Sequence, residues 1–119
     1  MTIFECYTTL HGSYKEAQSR LMTDKIIEKF LLKFTADPSM SQLLDAANTN
    51  DRKQAFMAAH TLKGVSGNLG FTELQQCASD LTEHLRSGEN DIDLVMLEKI
   101  KTAYRLVIDT IHTYSESNQ

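Results

Sequence analysis

Proline occurs once and glycine five times in these 119 residues, and low-complexity segments are missing altogether. With so few of the residues that punctuate loops, there is little room for a linker or a domain boundary. No internal repeat is visible, and strand-like alternation of apolar and polar residues is absent. The two cysteines, Cys6 and Cys77, lie far apart and show no metal-binding or redox spacing. Basic residues are in the minority, twelve against sixteen acidic ones, for a formal charge of −4. That balance disfavours nonspecific binding to nucleic acid or to an anionic membrane. No apolar run approaches the ~20 residues of a membrane span, and no apolar segment follows a basic start as in a signal peptide. The expectation is one reduced, cytoplasmic domain over residues 1–119.

What recurs from end to end is helical spacing. Ile3, Tyr7 and Leu10 share a face of a short N-terminal helix, Gly12 breaks it, and Ser13 with Glu16 suits a capping box for a second. From Thr23 the pattern sharpens, with Ile26, Ile27, Phe30, Leu31 and Phe34 on one stripe of a helix ending near Asp37. Asp37 then suits an N-cap with Pro38 in the first helical position, followed by Met40, Leu43, Leu44 and Ala47. Asn50 or Asp51 starts the next helix, Gly70 fits its C′ position, and Thr72 with Gln75 suits the cap of the one after. That helix carries Leu74, Cys77, Ala78, Leu81 and Leu85 on one face and stops at Gly88; Asp91 or Asp93 opens the last, with Leu97, Ile100, Tyr104, Val107, Ile108 and Ile111 inward. Phe30, Phe34 and Met40 read as core rather than as a cofactor box. Short loops between long helices favour antiparallel neighbours. The predicted fold is therefore all-α: an up-down antiparallel four-helix bundle, with core residues about 23–112 and one or two short additional N-terminal helices.

The segment AAHTLKGVSGNLG, Ala58 to Gly70, carries the chemistry. At 100° per residue, Ala55, Ala58, Ala59, Leu62, Val65, Ser66 and Leu69 fall on the side opposite His60, which therefore points outward. Beside it on the outer side fall Lys53, Phe56, Met57, Lys63, Gly64 and Gly67. Two apolar residues where solvent is expected, with two glycines that flatten the surface, describe a shallow docking site around one nucleophile. Glycine inside a helix costs up to ~1 kcal/mol against alanine, so its presence asks for a reason. A neutral imidazole, with an unperturbed pKa of ~6.5, is a competent nucleophile near neutrality. Phosphoryl transfer demands mainly positioning and charge stabilisation, which an exposed imidazole and a lysine one turn away can supply. By spacing alone, a solvated histidine with chance glycines near a fraying helix end stands level with this reading.

HTLKGVSGNLG, from His60 to Gly70, resembles the signature of the histidine-containing phosphotransfer domain of two-component phosphorelays. The likeness extends through the preceding AFMAA, the segment Leu74 to Cys77 and LTEHLRSG, and covers roughly residues 23 to 112; the first twenty residues add little to it. The resemblance implies a four-helix bundle in which His60 accepts a phosphoryl group from a receiver-domain aspartate and passes it to another receiver. Lys63 would lie beside the phosphoimidazole, Gly64 would keep the surface low, and Gly67 would meet a requirement for a small residue. Lys53, Phe56, Met57, Gly64 and Gly67 make up the expected docking surface. The resemblance also implies partners of the receiver and hybrid histidine kinase types, a monomer, no metal ligands of its own, and Mg²⁺ brought by the partner receiver.

Two alternatives stay open at this point. A histidine kinase could phosphorylate the domain directly, although such phosphoacceptor domains usually continue into others and this chain ends at Gln119. Equally, the chain could be a helical binding module whose histidine is incidental. Gly64 to Gly67 also matches the GxxG of RNA-clamping loops, but that motif needs an α/β context which the helical periodicity denies. No Walker A lysine or dinucleotide fingerprint is present, so nothing provides for self-phosphorylation from ATP, and an enzyme with turnover of its own is not expected. His11, His84 and His112 lack a matching constellation and read as surface residues. Cys77 reads as packing, Cys6 is ambiguous, and Glu73, Asp80, Glu83 and Glu98 read as solvated.

Overall fold

In the computed structural model, which describes residues 1–117, every regular element is an α-helix. Seven form: α1 (Ile3–Thr9), α2 (Tyr14–Leu21), α3 (Asp24–Phe34), α4 (Ser39–Asn48), α5 (Arg52–Asn68), α6 (Thr72–Leu85) and α7 (Leu94–Ser117). Local chemistry sets their starts. Thr2 forms a full capping box with Glu5, and Ser13, Thr23 and Asp51 each accept a backbone N–H from three residues on. Asp93 does the same for Met96 ahead of α7, at 2.9 Å.

Two expected boundaries differ, those of α4 and α6. Pro38 stands at the N-cap of α4 rather than inside it, and Asp37 instead accepts the Ser39 N–H at 2.9 Å. Thr72 and Gln75 form no capping box; Phe71 is the N-cap of α6, and the Gln75 side chain lies against α5. Ser13 caps α2 through Glu16 N–H, at 3.1 Å. Gly70, with φ +73°, ends α5 as its position in the sequence implied, because the left-handed region is open to glycine.

The core is continuous along the helices. Leu31 and Phe34 of α3, Leu43 of α4, Ala55, Ala59 and Leu62 of α5, Leu74 and Leu81 of α6, and Ile100, Val107 and Ile111 of α7 are buried together. Alanines along α5 let α4 and α6 both pack closely against it. The stripe on α3 is narrower than expected. Ile27, Leu31 and Phe34 are buried, whereas Ile26 and Phe30 are about 40% exposed, because α3 packs mainly on α2 and α7.

The first twenty residues are built into the bundle. Cys6, Tyr7 and Leu10 are buried, the Tyr7 hydroxyl donates to the Leu69 carbonyl at 2.6 Å, and Ser13 N–H donates to the Gly70 carbonyl at 2.8 Å. The α5–α6 turn thus anchors α1 and α2. Burial pushes the Cys6 thiol up to about 11 and raises the Tyr7 phenol as well, so Cys6 is a packing residue. Among the described residues no helix is long and apolar enough to cross a membrane.

Candidate functional site

His60 lies in the middle of α5, exposed, with Ala58, Ala59 and Leu62 buried on either side of it in sequence. The helical period thus fixes which way it faces. One turn earlier on the same side is Phe56, whose ring lies parallel to the imidazole, 7° between planes and 6.0 Å between centroids. The Arg86 guanidinium from the end of α6 also sits over the Phe56 ring, 5.4 Å from its centroid. Arg86 is itself held by two hydrogen bonds to Glu83, at 3.0 and 2.9 Å. A guanidinium and an imidazole therefore both contact one phenyl ring across α5 and α6.

Glu83 carries the electrostatic signature of the site. Its carboxyl is held below the usual range first by the Arg86 hydrogen bond, with smaller contributions from the positive fields of Arg86, Lys63 and His60. It ionises readily and partly balances the local cations.

A shallow depression of about 250 Å³ opens beside the histidine. His60, Lys63, Gly64 and Gly67 line it together, as the motif implied, and they are joined by Asn68, Gln75 and Arg20. A Cβ on Gly64 would meet nothing within 4 Å, so the space over that glycine is open. Gly67 differs from expectation. It is buried, and a Cβ there would lie 2.7 Å from Nε2 of Gln75, so α6 covers it. Seven residues bring a helix back to the same face, but near the end of α5 that face is already occupied by the start of α6. Val65 packs against the core as projected, half-buried, and also lines a larger, apolar cleft of about 660 Å³ with Phe30, Phe34 and Leu69. No histidine, cysteine or hydroxyl side chain lines that cleft among the described residues.

The remaining expected docking residues lie outside the depression. Met57 is 51% exposed and borders a groove between α4 and α5, and Lys53 lies near Phe56 and Arg86 at the other end of α5. Sequence reasoning missed Arg86, Gln75 and Arg20, which reach the site from other helices. Of these, Arg86 and Gln75 lie in segments that carry the likeness, LTEHLRSG and Leu74 to Cys77, whereas Arg20 had no local signal. His11 pairs with Glu73 at 2.5 Å, His84 meets the Asp91 carbonyl, and His112 is exposed, so none of the three gathers a comparable group. No cluster of potential ligands that could hold a metal ion occurs among the described residues.

The described residues thus form a bundle of helices that presents His60 in a shallow depression bordered by cations. A model of the Hpt domain matches residues 30–112, most of the chain, and the protein belongs to the Hpt domain family. Membership places it among the histidine phosphotransfer modules of two-component signalling, which act as phosphocarriers. Comparison with curated proteins and with solved structures returned no match.

Proposed function

We propose that the protein is a phosphorelay carrier with no turnover of its own: it takes a phosphoryl group from the aspartate of one receiver domain onto His60 and delivers it to another receiver. The observation that carries this reading is the exposed imidazole sharing a depression with Lys63 and the uncovered Gly64. A ring nitrogen of His60 attacks the acyl phosphate in line; the N–P bond forms, the P–O bond to the aspartate breaks, and the carboxylate leaves. Lys63 offsets charge on the transferring oxygens, and Gly64 lets the receiver approach the ring. Phe56 holds the ring's plane through stacking, with Arg86 behind it. Met57 and Lys53 contact the receiver outside the depression. Mg²⁺ enters with the receiver.

The helices that flank α5 alternate in direction in this reading, as an up-down bundle does, and the protein works as a cytoplasmic monomer. Its partners are receiver domains, including that of a hybrid histidine kinase. The test is incubation with a panel of phosphorylated receivers, for the wild type and for His60→Gln. Acid-labile, base-stable label is expected on the wild type and none on the variant. Undiminished labelling of His60→Gln would overturn the assignment.

A further inference from the structure

Arg20 belongs to α2, in the part of the chain that precedes the family match, yet it lines the same depression as His60 and Lys63. Its position follows from tight local packing. A Cβ on Gly70 would lie 2.5 Å from the Ser13 carbonyl oxygen and 3.0 Å from the Ala17 nitrogen, so the backbone of α2 runs directly over the end of α5. Arg20 is one turn beyond Ala17 and shares its side of the helix. Its ion pair is a loose one with Glu16, at 3.9 Å, and both side chains are more than half exposed. Such a pair contributes little and leaves the guanidinium's donors available.

A second donor comes from α6. The Gln75 side chain occupies the space that a Cβ on Gly67 would need, which brings its amide over α5 and into the depression. Three helices therefore bring a guanidinium, an ammonium and an amide to the hollow beside the imidazole. A phosphoryl group on that ring would carry three peripheral oxygens and about two negative charges, and planar, multidentate donors match such oxygens well.

We infer that Arg20 and Gln75 are phosphoryl-binding residues, which with Lys63 hold the phosphohistidine between transfers, and that the role of Gly67 is to seat Gln75 rather than to admit the receiver. The inference rests on His60 as the phosphoacceptor. Both residues donate hydrogen bonds to the peripheral oxygens; neither takes part in bond making, and no proton changes hands. A cation on those oxygens favours the charged state of the phosphoryl group over loss of metaphosphate-like phosphorus, so it lengthens the life of the N–P bond.

The experiment uses the full chain and phosphoramidate, a small donor that needs no receiver: its N–P bond breaks, ammonia leaves, and the imidazole takes the phosphoryl group. Phosphohistidine is followed by ³¹P NMR, as a pH titration of its chemical shift and as a decay curve. In Arg20→Ala and Gln75→Ala the phosphoryl group should titrate at higher pH, and its lifetime should fall roughly two- to five-fold, the scale of one exposed charge contact. Arg20→Lys should recover part of the loss, Gly67→Ala should resemble Gln75→Ala, and Lys15→Ala, on the same helix and exposed, should match the wild type. Phosphohistidine that forms normally, with wild-type titration and lifetime in both alanine variants, would overturn the inference while leaving His60 in place. Failure of the wild type to form any phosphohistidine would overturn the acceptor assignment and this inference with it.

Discussion

Gly64 and Gly70 stand six residues apart in one motif, and their surroundings are opposite. Around Gly64 there is open space, and a side chain added there would point past the histidine into solvent. At Gly70 the backbone of α2 passes so near that no Cβ fits, and φ lies in the left-handed region. The first glycine borders open surface, whereas the second lets two parts of the same chain touch. Gly67 falls between them, covered by one flexible side chain, that of Gln75. A single glycine-rich stretch thus runs from open surface to structural joint within two helical turns.

The sharpest way to break this contrast is at the joint. Gly70→Ala must leave the left-handed region or push the Ser13 carbonyl away, and it is expected to destabilise the fold by about 2–4 kcal/mol. Urea unfolding would measure this, and unchanged stability would remove the joint. The same region should also respond to alkali. The Cys6 thiol is raised by burial from an ordinary 9.0 to about 11. The unfolded chain therefore loses that proton first, between pH 9 and 11. Stability is full below pH 9 and declines through that window, by up to roughly 2 kcal/mol from this one group. Comparison with Cys6→Ala isolates its share, and parallel pH profiles for the two proteins would refute it.

The smaller effects separate the other two glycines. Gly67→Glu has to evict Gln75 and places a carboxylate in the α5–α6 seam, for an expected loss of about 1–2 kcal/mol. Gly64→Glu should leave the unfolding midpoint within about 0.5 kcal/mol of wild type, or raise it, because an exposed helical glycine is being replaced. It should nevertheless block transfer from a phosphorylated receiver, through bulk beside His60 and repulsion from the receiver's acidic Mg²⁺ pocket. Thermal melts and transfer assays on the two variants would check the pair, and equal destabilisation by both would erase the distinction.

Much of the site was legible because one helix holds it. Ala55, Ala58, Ala59 and Leu62 put one side of α5 into the core, and regular geometry then sends His60, Lys63 and Gly64 outward together. Phe56 is one turn away for the same reason. The projection failed at Gly67. Angle around an axis says nothing about where along that axis a neighbour crosses, and α6 returns over α5 beside Gly67. It likewise placed Phe30 in the core, though α3 has too few neighbours to cover that side.

The sequence by itself determined that the chain is helical, where most helices start and stop, and that His60 faces outward beside Lys63 and Gly64. Those properties depend on hydrogen bonds and periodicities that span a few residues, and the residues concerned are adjacent in the chain. Tertiary structure alone decided that Arg86 would lie over Phe56, that Gln75 would cover Gly67, and that Arg20 would reach the histidine from forty residues away in sequence. Each of these depends on how closely two helices approach and at what height they cross. That is set by the packing of the whole core, through contacts such as Tyr7 on Leu69 and Ser13 on Gly70, and no local pattern encodes it.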